Sequence, residues 1–266
     1  MKYYIPFTYY KFSRLKGWSD LFSWFIIYPL FLLFFTLLNS SNLELAFFNF
    51  LLIFMGFFSI YEIGYLENDL ITVQNEKLPT DRLGDEKSFF LGHYLHLKVS
   101  RYIVSFLCVS IYCVINDLGF FAFCFFVFYF FITRFCFYLH NSVRNRVNIA
   151  TYFSLAFLRY SLPVAILFFE GCFNSLDIFI LALLFPVLRT IEHSSKPKYA
   201  VPFNRLVFNN LDLLRVVYYL ILLIAFTFLL NEYVVFVLYF FTYRLATFFI
   251  AKAFRIKRTI SASYRK

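Results

Sequence analysis

The sequence predicts an all-α, polytopic membrane helix bundle of about eight transmembrane helices, one integral domain over residues 1–266 with both termini cytoplasmic. Three observations predict it. The composition is 62% hydrophobic and only 15% charged, where soluble domains average about 45–50% and about 25%. The apolar residues gather in runs long enough to cross a bilayer. Basic residues fall between those runs on alternate sides. The 43 Phe and 21 Tyr exclude a disordered chain, since such residues are depleted there. The five Cys lack CxxC spacing and read as small apolar residues rather than a disulfide framework.

A helix needs about 20 predominantly apolar residues to cross the hydrocarbon layer. The first such span covers residues 19–38. It follows a basic, aromatic N-terminus and precedes no small-residue cleavage site, so it reads as a membrane helix and not a signal peptide. The second span, 45–66, runs into a polar segment that Pro79 should end by about Lys77, because the residue before proline disfavours the α region. Spans three and four, 98–116 and 118–139, meet at a very short turn. The fifth, 148–169, carries Arg159 and Pro163, and the sixth, 175–192, ends in a basic segment. Spans seven and eight, 211–230 and 233–251, are separated by Asn231 and Glu232.

All but three of the 25 Lys and Arg fall on the N-terminus, the second, fourth and sixth loops and the C-terminal tail. The short loops 39–44, 116–118, 170–175 and 231–232 hold none. Because Lys and Arg stay cytoplasmic, this bias sets both termini inside and the number of spans even. The net charge of +10 is therefore mainly an orientation signal, with an added attraction for anionic headgroups. Spread over five segments rather than one patch, it argues against a nucleic-acid partner. A multi-pass cell-membrane protein is expected, its first partner the bilayer.

The three exceptions are Arg134, Arg159 and Arg244, within spans. A charge at a helix centre costs at least about 2.5 kcal/mol. Arg134 and Arg244 sit near the cytoplasmic surface and are expected to snorkel to it. Arg159 lies deeper, so a paired or functional role is expected. Glu62 is the deepest carboxylate. If the second helix persists to Lys77, Glu62, Asp69 and Glu76 recur every seven residues and share one face. Glu67, Asp81, Asp85 and Glu86 read as a solvated acidic loop. Asp69 and Glu76, on a helical face leaving the bilayer, suit a hard cation with a phosphate ligand. Gly56 and Gly64 read as close-packing positions on the same span. The four histidines have no Cys or carboxylate at metal-ligand spacing; His193, beside Glu192, is a candidate for contacting a polar head.

The segment Asn68–Asp69–Leu70–Ile71–Thr72–Val73–Gln74–Asn75–Glu76 resembles the first signature of the UbiA superfamily of intramembrane prenyltransferases, Asn-Asp-x-x-Asp-x-x-x-Asp after the second transmembrane helix. Thr72 stands for the middle Asp and Glu76 for the last. The continuation Lys77–Leu78–Pro79–Thr80–Asp81–Arg82 is similar to the family's downstream Arg- and Pro-containing stretch. After the sixth span, where the family carries a second Asp cluster, this chain has Arg189–Thr190–Ile191–Glu192–His193–Ser194–Ser195–Lys196, with Glu192 as its acidic residue. The family's usual nine helices are eight here.

The resemblance implies a transferase moving a polyprenyl group from a prenyl diphosphate, or a group onto a polyprenyl phosphate. It implies Mg²⁺ held by Asp69 and Glu76, with Glu192 as a third catalytic carboxylate. Asn68, Thr72, Arg82, Arg159, Arg189, His193, Lys196 and Lys198 would bind the isoprenoid phosphate or diphosphate. Metal and cations on a departing phosphate act where charge develops. Two alternatives remain open: a transporter or flippase for a lipid-linked anion, with Glu62 and Arg159 pairing across a pathway, and a non-catalytic lipid-binding partner subunit.

The orientation is testable by cysteine labelling in intact cells and inverted vesicles. A Cys placed at Lys16 or Arg82 should react only from the cytoplasmic side, and one at Ser40 or Asn174 only from outside. The opposite pattern reverses the topology.

Overall fold

The computed structural model describes residues 2–75, 82–143, 145–196, 199 and 210–256. Its longer helices, in chain order, are α1 (Thr8–Arg14), α2 (Trp18–Asn39), α3 (Leu43–Leu70), α4 (Lys87–Gly92), α5 (Tyr94–Ile115), α6 (Phe120–Ser142), α7 (Val147–Tyr160), α8 (Leu162–Phe169), α9 (residues 175–194), α10 (Leu211–Leu229) and α11 (Val234–Ala253). The described residues contain no strand. Six helical stretches are long and apolar enough to cross a membrane, and α7 with α8 makes a seventh if the two form one broken span. The chain is thus an all-helical, multi-pass membrane protein. The expected span at 175–192 is helical, as α9, but carries Asp177, Arg189 and Glu192 and stands outside the six. The break before α8 falls where Pro163 has no N–H to donate, a residue tolerated in a helix's first turn but not its interior.

Two compact units emerge, residues 1–144 with 162–173, and residues 145–161 with 174–266. In the first, α3 is the central helix and packs on α2, α5, α6 and α8, most extensively on α5. A helix apolar all round belongs in a core. Accordingly 56% of the most apolar stretch of this span is buried in the protein, against 22–33% for the other five. Two glycines permit the close approach. A methyl on Gly56 would sit 3.2 Å from Cys108 Cβ on α5, and one on Gly64 would run into the Phe137 ring on α6.

Proline shapes α2 and α9 alike. Pro29 and Pro186 lie within helices and cannot donate to the preceding turn, and each helix passes the point through a π turn, Ile26–Leu30 and Leu183–Val187. In the second unit, α10 supplies hydroxyls beside that turn. Tyr218 Oη donates to the Leu183 carbonyl at 2.6 Å, and Tyr219 Oη to that of Leu184. Such side-chain donors satisfy backbone groups where no water reaches. The rest of this unit is the hairpin of α10 and α11 against α9, which also packs on α7.

At one end of the first unit, polar side chains tie the helix ends together. Asn49, fully buried, exchanges hydrogen bonds with Asn116 at 3.0 and 2.8 Å and donates to Glu170 at 3.0 Å. Ser40 donates to the other Glu170 oxygen at 2.8 Å. Asn42 caps α3 by accepting from Leu45 N–H at 3.1 Å.

Deeper in this unit, Glu62 of α3 and Arg101 of α5 form an ion pair at 2.9 Å, their side chains 1% and 4% exposed. Arg101 also donates to the carbonyls of Tyr3, Tyr4 and Ile5 at 2.7, 2.6 and 3.2 Å. The second Glu62 oxygen accepts the Tyr10 N–H at 2.7 Å. The pair thereby fastens the N-terminal segment and α1 onto α3 and α5. Arg101, expected as a loop cation, is instead a structural centre, and Glu62 is committed to it rather than to Arg159.

Removing one partner of a buried pair costs about 3–5 kcal/mol, because the other charge is left uncompensated. Arg101→Met should therefore lower the unfolding temperature in detergent markedly and expose residues 3–10 to protease. Glu62→Gln, which keeps an acceptor for Tyr10, should do less. Equal, small effects would contradict this role.

Candidate functional site

The expected site residues fall into two clusters, one in each unit. In the first unit α3 ends at Leu70 and tightens into a 3₁₀ turn, Thr72–Asn75, so the continuous helical face expected through Glu76 stops short. Glu76 itself lies outside the described residues. Asp69, its side chain 2% exposed, is surrounded by donors. Tyr9 Oη donates to Oδ2 at 2.7 Å. Arg14 donates from Nη2 to Oδ1 at 2.9 Å and sets Nη1 2.8 Å from Oδ2. Arg82 reaches Oδ1 at 3.1 Å, and Asn68 donates to it at 3.2 Å. The cluster thus unites the expected Asn68, Asp69 and Arg82 with two residues not singled out, Tyr9 and Arg14. Thr72 is half-buried in the turn beyond.

Burial, then the Asp69 charge, pushes the Tyr9 phenol well above its ordinary range, so it stays a donor. Burial alone would lower the Arg14 guanidinium, but Asp69 raises it.

These residues, as arranged, do not fit a Mg²⁺ site. Both Asp69 oxygens already face arginine, and a hard divalent ion beside Arg14 and Arg82 would meet two positive charges. Among the described residues no group of three His, Cys, Asp or Glu converges.

Glu67, expected in a solvated loop, lies on α3 and is 17% exposed. It takes Lys98 at 3.1 Å, Tyr94 at 3.2 Å and Arg134 of α6. Arg134 is thereby held inside the protein by a carboxylate rather than snorkelling alone. Its Nε and Nη1 are sealed from solvent, and besides Glu67 the Tyr102 hydroxyl bears on its guanidinium. Arg134 lines a groove of about 780 Å³ between α5 and α6, floored by Ile60 of α3. Phe106, Val127, Phe131 and Phe135 form its apolar walls, and Tyr102 and Tyr138 join Arg134 in the lining. Phe106, Phe131, Phe135 and Tyr138 are 51–65% exposed, so the groove opens on the outer, apolar face of the helices.

In the second unit, Glu192 of α9 accepts from Arg215 of α10 at 2.7 and 3.2 Å and pairs with Arg189 one turn earlier on its own helix. Arg215 also reaches Asp212 at 3.3 Å. His193 is buried and stacked on Tyr152 of α7 with ring centroids 3.9 Å apart. Its Nε2 lies 3.1 Å from Asn148 Oδ1 and 2.8 Å from Tyr199 Oη. This ring is built into the fold, not free to meet a ligand through Nε2. Lys196 is half-buried just past α9, Arg159 half-buried on α7, and Lys198 lies outside the described residues. Arg244 of α11, expected to snorkel, is 6% exposed.

Arg14, Arg101 and Arg215 were not legible as site residues because each sits at the end of an apolar span, where basic residues also mark topology, and Tyr9 is one of 21 tyrosines. One signal was present for Arg215: it follows Asp212 by three residues, one helical turn.

No family model matches the chain, and no curated protein or solved structure is significantly similar to it.

Asp69→Asn should destabilise the protein by roughly 3–5 kcal/mol, because Arg14 loses its buried counter-charge. The loss in unfolding temperature should be the same with Mg²⁺ and with chelator; a Mg²⁺-dependent difference would restore the metal reading. The Tyr9 contribution has a raised folded pKa, so it is fully present below the free phenol value of about 10 and is lost as pH rises above it.

Proposed function

We propose that the protein binds a long-chain anionic lipid, its hydrocarbon chain in the α5–α6 groove and its phosphate at Arg134. The observation that carries this reading is the groove itself. Its volume of about 780 Å³ falls within the roughly 300–1,000 Å³ of ligand pockets. Its walls are aromatic and aliphatic, it opens toward where lipid tails lie, and a guanidinium with two N–H-bearing nitrogens sealed from water, beside the Tyr102 hydroxyl, stands in its lining. A phosphate oxygen is the natural acceptor for those donors, and arginine engages it bidentately. By the sequence resemblance the lipid is an isoprenoid phosphate or diphosphate, and the protein acts as a lipid-binding subunit in a membrane pathway.

Group transfer on that lipid, the UbiA-like activity, is a second reading. What favours it is the position of Asn68 and Asp69, one and two residues beyond Glu67, the partner of Arg134. In that reading Arg14 and Arg82 would take up leaving-group charge once Asp69 releases them.

A photoactivatable polyprenyl phosphate, incorporated with the purified protein into nanodiscs, tests the binding. Labelled peptides should map to α5 and α6, and Val127→Trp or Arg134→Gln should reduce labelling about tenfold. Labelling elsewhere, or labelling unchanged by both variants, overturns the groove. Diphosphate release from a labelled prenyl diphosphate tests the transferase; none from the wild type removes that second reading.

A further inference from the structure

The polar end of the α5–α6 groove carries an acid among its cations. Arg134 stands in the groove lining, and Tyr102, also in the lining, bears on its guanidinium. Glu67 of α3 meets Arg134 with one carboxylate oxygen and Lys98 with the other, the latter at 3.1 Å. Tyr94 donates to the oxygen that faces Lys98, at 3.2 Å. Tyr94, Lys98 and Tyr102 recur every four residues on α5 and so share a face. Arg134 and Lys98 thus converge on a single point, the Glu67 carboxylate, at the edge of a cavity. The three side chains keep 16–29% exposure, so the cluster borders the groove instead of lying sealed in the core.

The charge of this cluster decides which anion it attracts. Lys98 and Arg134 bring two positive charges and Glu67 cancels one, which leaves a single positive charge. Arg101, next along α5, is committed to Glu62, and Arg14 and Arg82 are committed to Asp69. The attraction of a site for an anion grows in proportion to the anion's charge. The cost of taking that anion out of water grows as the square of its charge. A singly positive site is therefore matched best by a single negative charge. A phosphodiester carries one, whereas a phosphomonoester carries about 1.5 to 2 at pH 7 and a diphosphate carries more.

We propose that Glu67 is the specificity-determining residue of this groove: by cancelling one of its two cations, it selects a lipid phosphodiester over a phosphomonoester or diphosphate. The inference rests on the groove reading and narrows the ligand to an isoprenoid phosphate whose head bears a second ester.

The test compares two competitors that differ by one charge, a polyprenyl phosphate and its methyl diester, of equal chain length. Each competes with a photoactivatable form of the methyl diester for the full chain in phosphatidylcholine nanodiscs. At pH 8 the monoester is fully ionised, and labelled α5 and α6 peptides are quantified by mass spectrometry. In the wild type the diester should compete at least about threefold better than the monoester. Glu67→Gln keeps an acceptor for Tyr94 but restores the second positive charge, and should bring the monoester level with the diester or ahead of it. Lys98→Met removes the remaining excess charge and should widen the preference for the diester. This second variant leaves Glu67 in place, so it reads the same rule if Glu67→Gln fails to fold. Groove labelling in which the monoester competes as well as the diester in the wild type overturns the inference and leaves the groove standing. A ratio that stays fixed, or moves the other way, in the folded variants also overturns it. Absence of labelling on α5 and α6 in the wild type removes the groove reading and this inference together.

Discussion

The first unit depends on one buried ion pair. Glu62 and Arg101 meet at 2.9 Å in the middle of helix packing, where neither charge could stand alone. The pair does more than neutralise itself. Arg101 gathers three successive carbonyls of the N-terminal segment, and Glu62 takes the Tyr10 N–H. Once those bonds form, α1 is laid along α3, and Tyr9 and Arg14 arrive at Asp69. The Asp69 cluster is thus a downstream consequence of a pair one to two turns deeper in the same helix.

The same principle recurs along the chain. Glu67 is held by Lys98 and Arg134, Asp69 by Arg14 and Arg82, and Glu192 by Arg189 and Arg215. Each carboxylate faces at least one cation from a different helix or loop, so helix-to-helix register is set by charge as well as by apolar packing. Membrane burial makes such pairing obligatory, since helix-centre charges are costly and water is remote. Against that background, the informative residues are the cations with donors left over. Arg134 has two sealed nitrogens beside the α5–α6 groove, and the Arg244 Nε is sealed with no acceptor among the described residues.

Much of the architecture was legible in the sequence. Hydropathy marked six stretches that the structure shows as long apolar helices, and the close-packing reading of Gly56 and Gly64 is borne out against Cys108 and Phe137. Asn68, Asp69 and Arg82 do converge, as do Arg189 and Glu192. What the sequence left open was the sign of the chemistry around them. A carboxylate at the end of a membrane helix looks the same in sequence whether it awaits a metal or already holds two arginines. Glu67 looked like part of a polar loop because the polar run begins there, whereas α3 carries it inside the bundle.

The sequence by itself determined the solvent, the helical class and the positions of most spans, because those follow from local composition and a period set by backbone geometry. It also showed which charges had to be explained. The tertiary structure alone decided their partners: Glu62 with Arg101, Asp69 with Arg14, and Glu192 with Arg215. The physical reason is that burial cost is a property of one residue and its neighbours in the chain, whereas its compensation comes from across the fold. Arg101 lies 39 positions from Glu62, and Arg14 lies 55 from Asp69. No local pattern carries that distance.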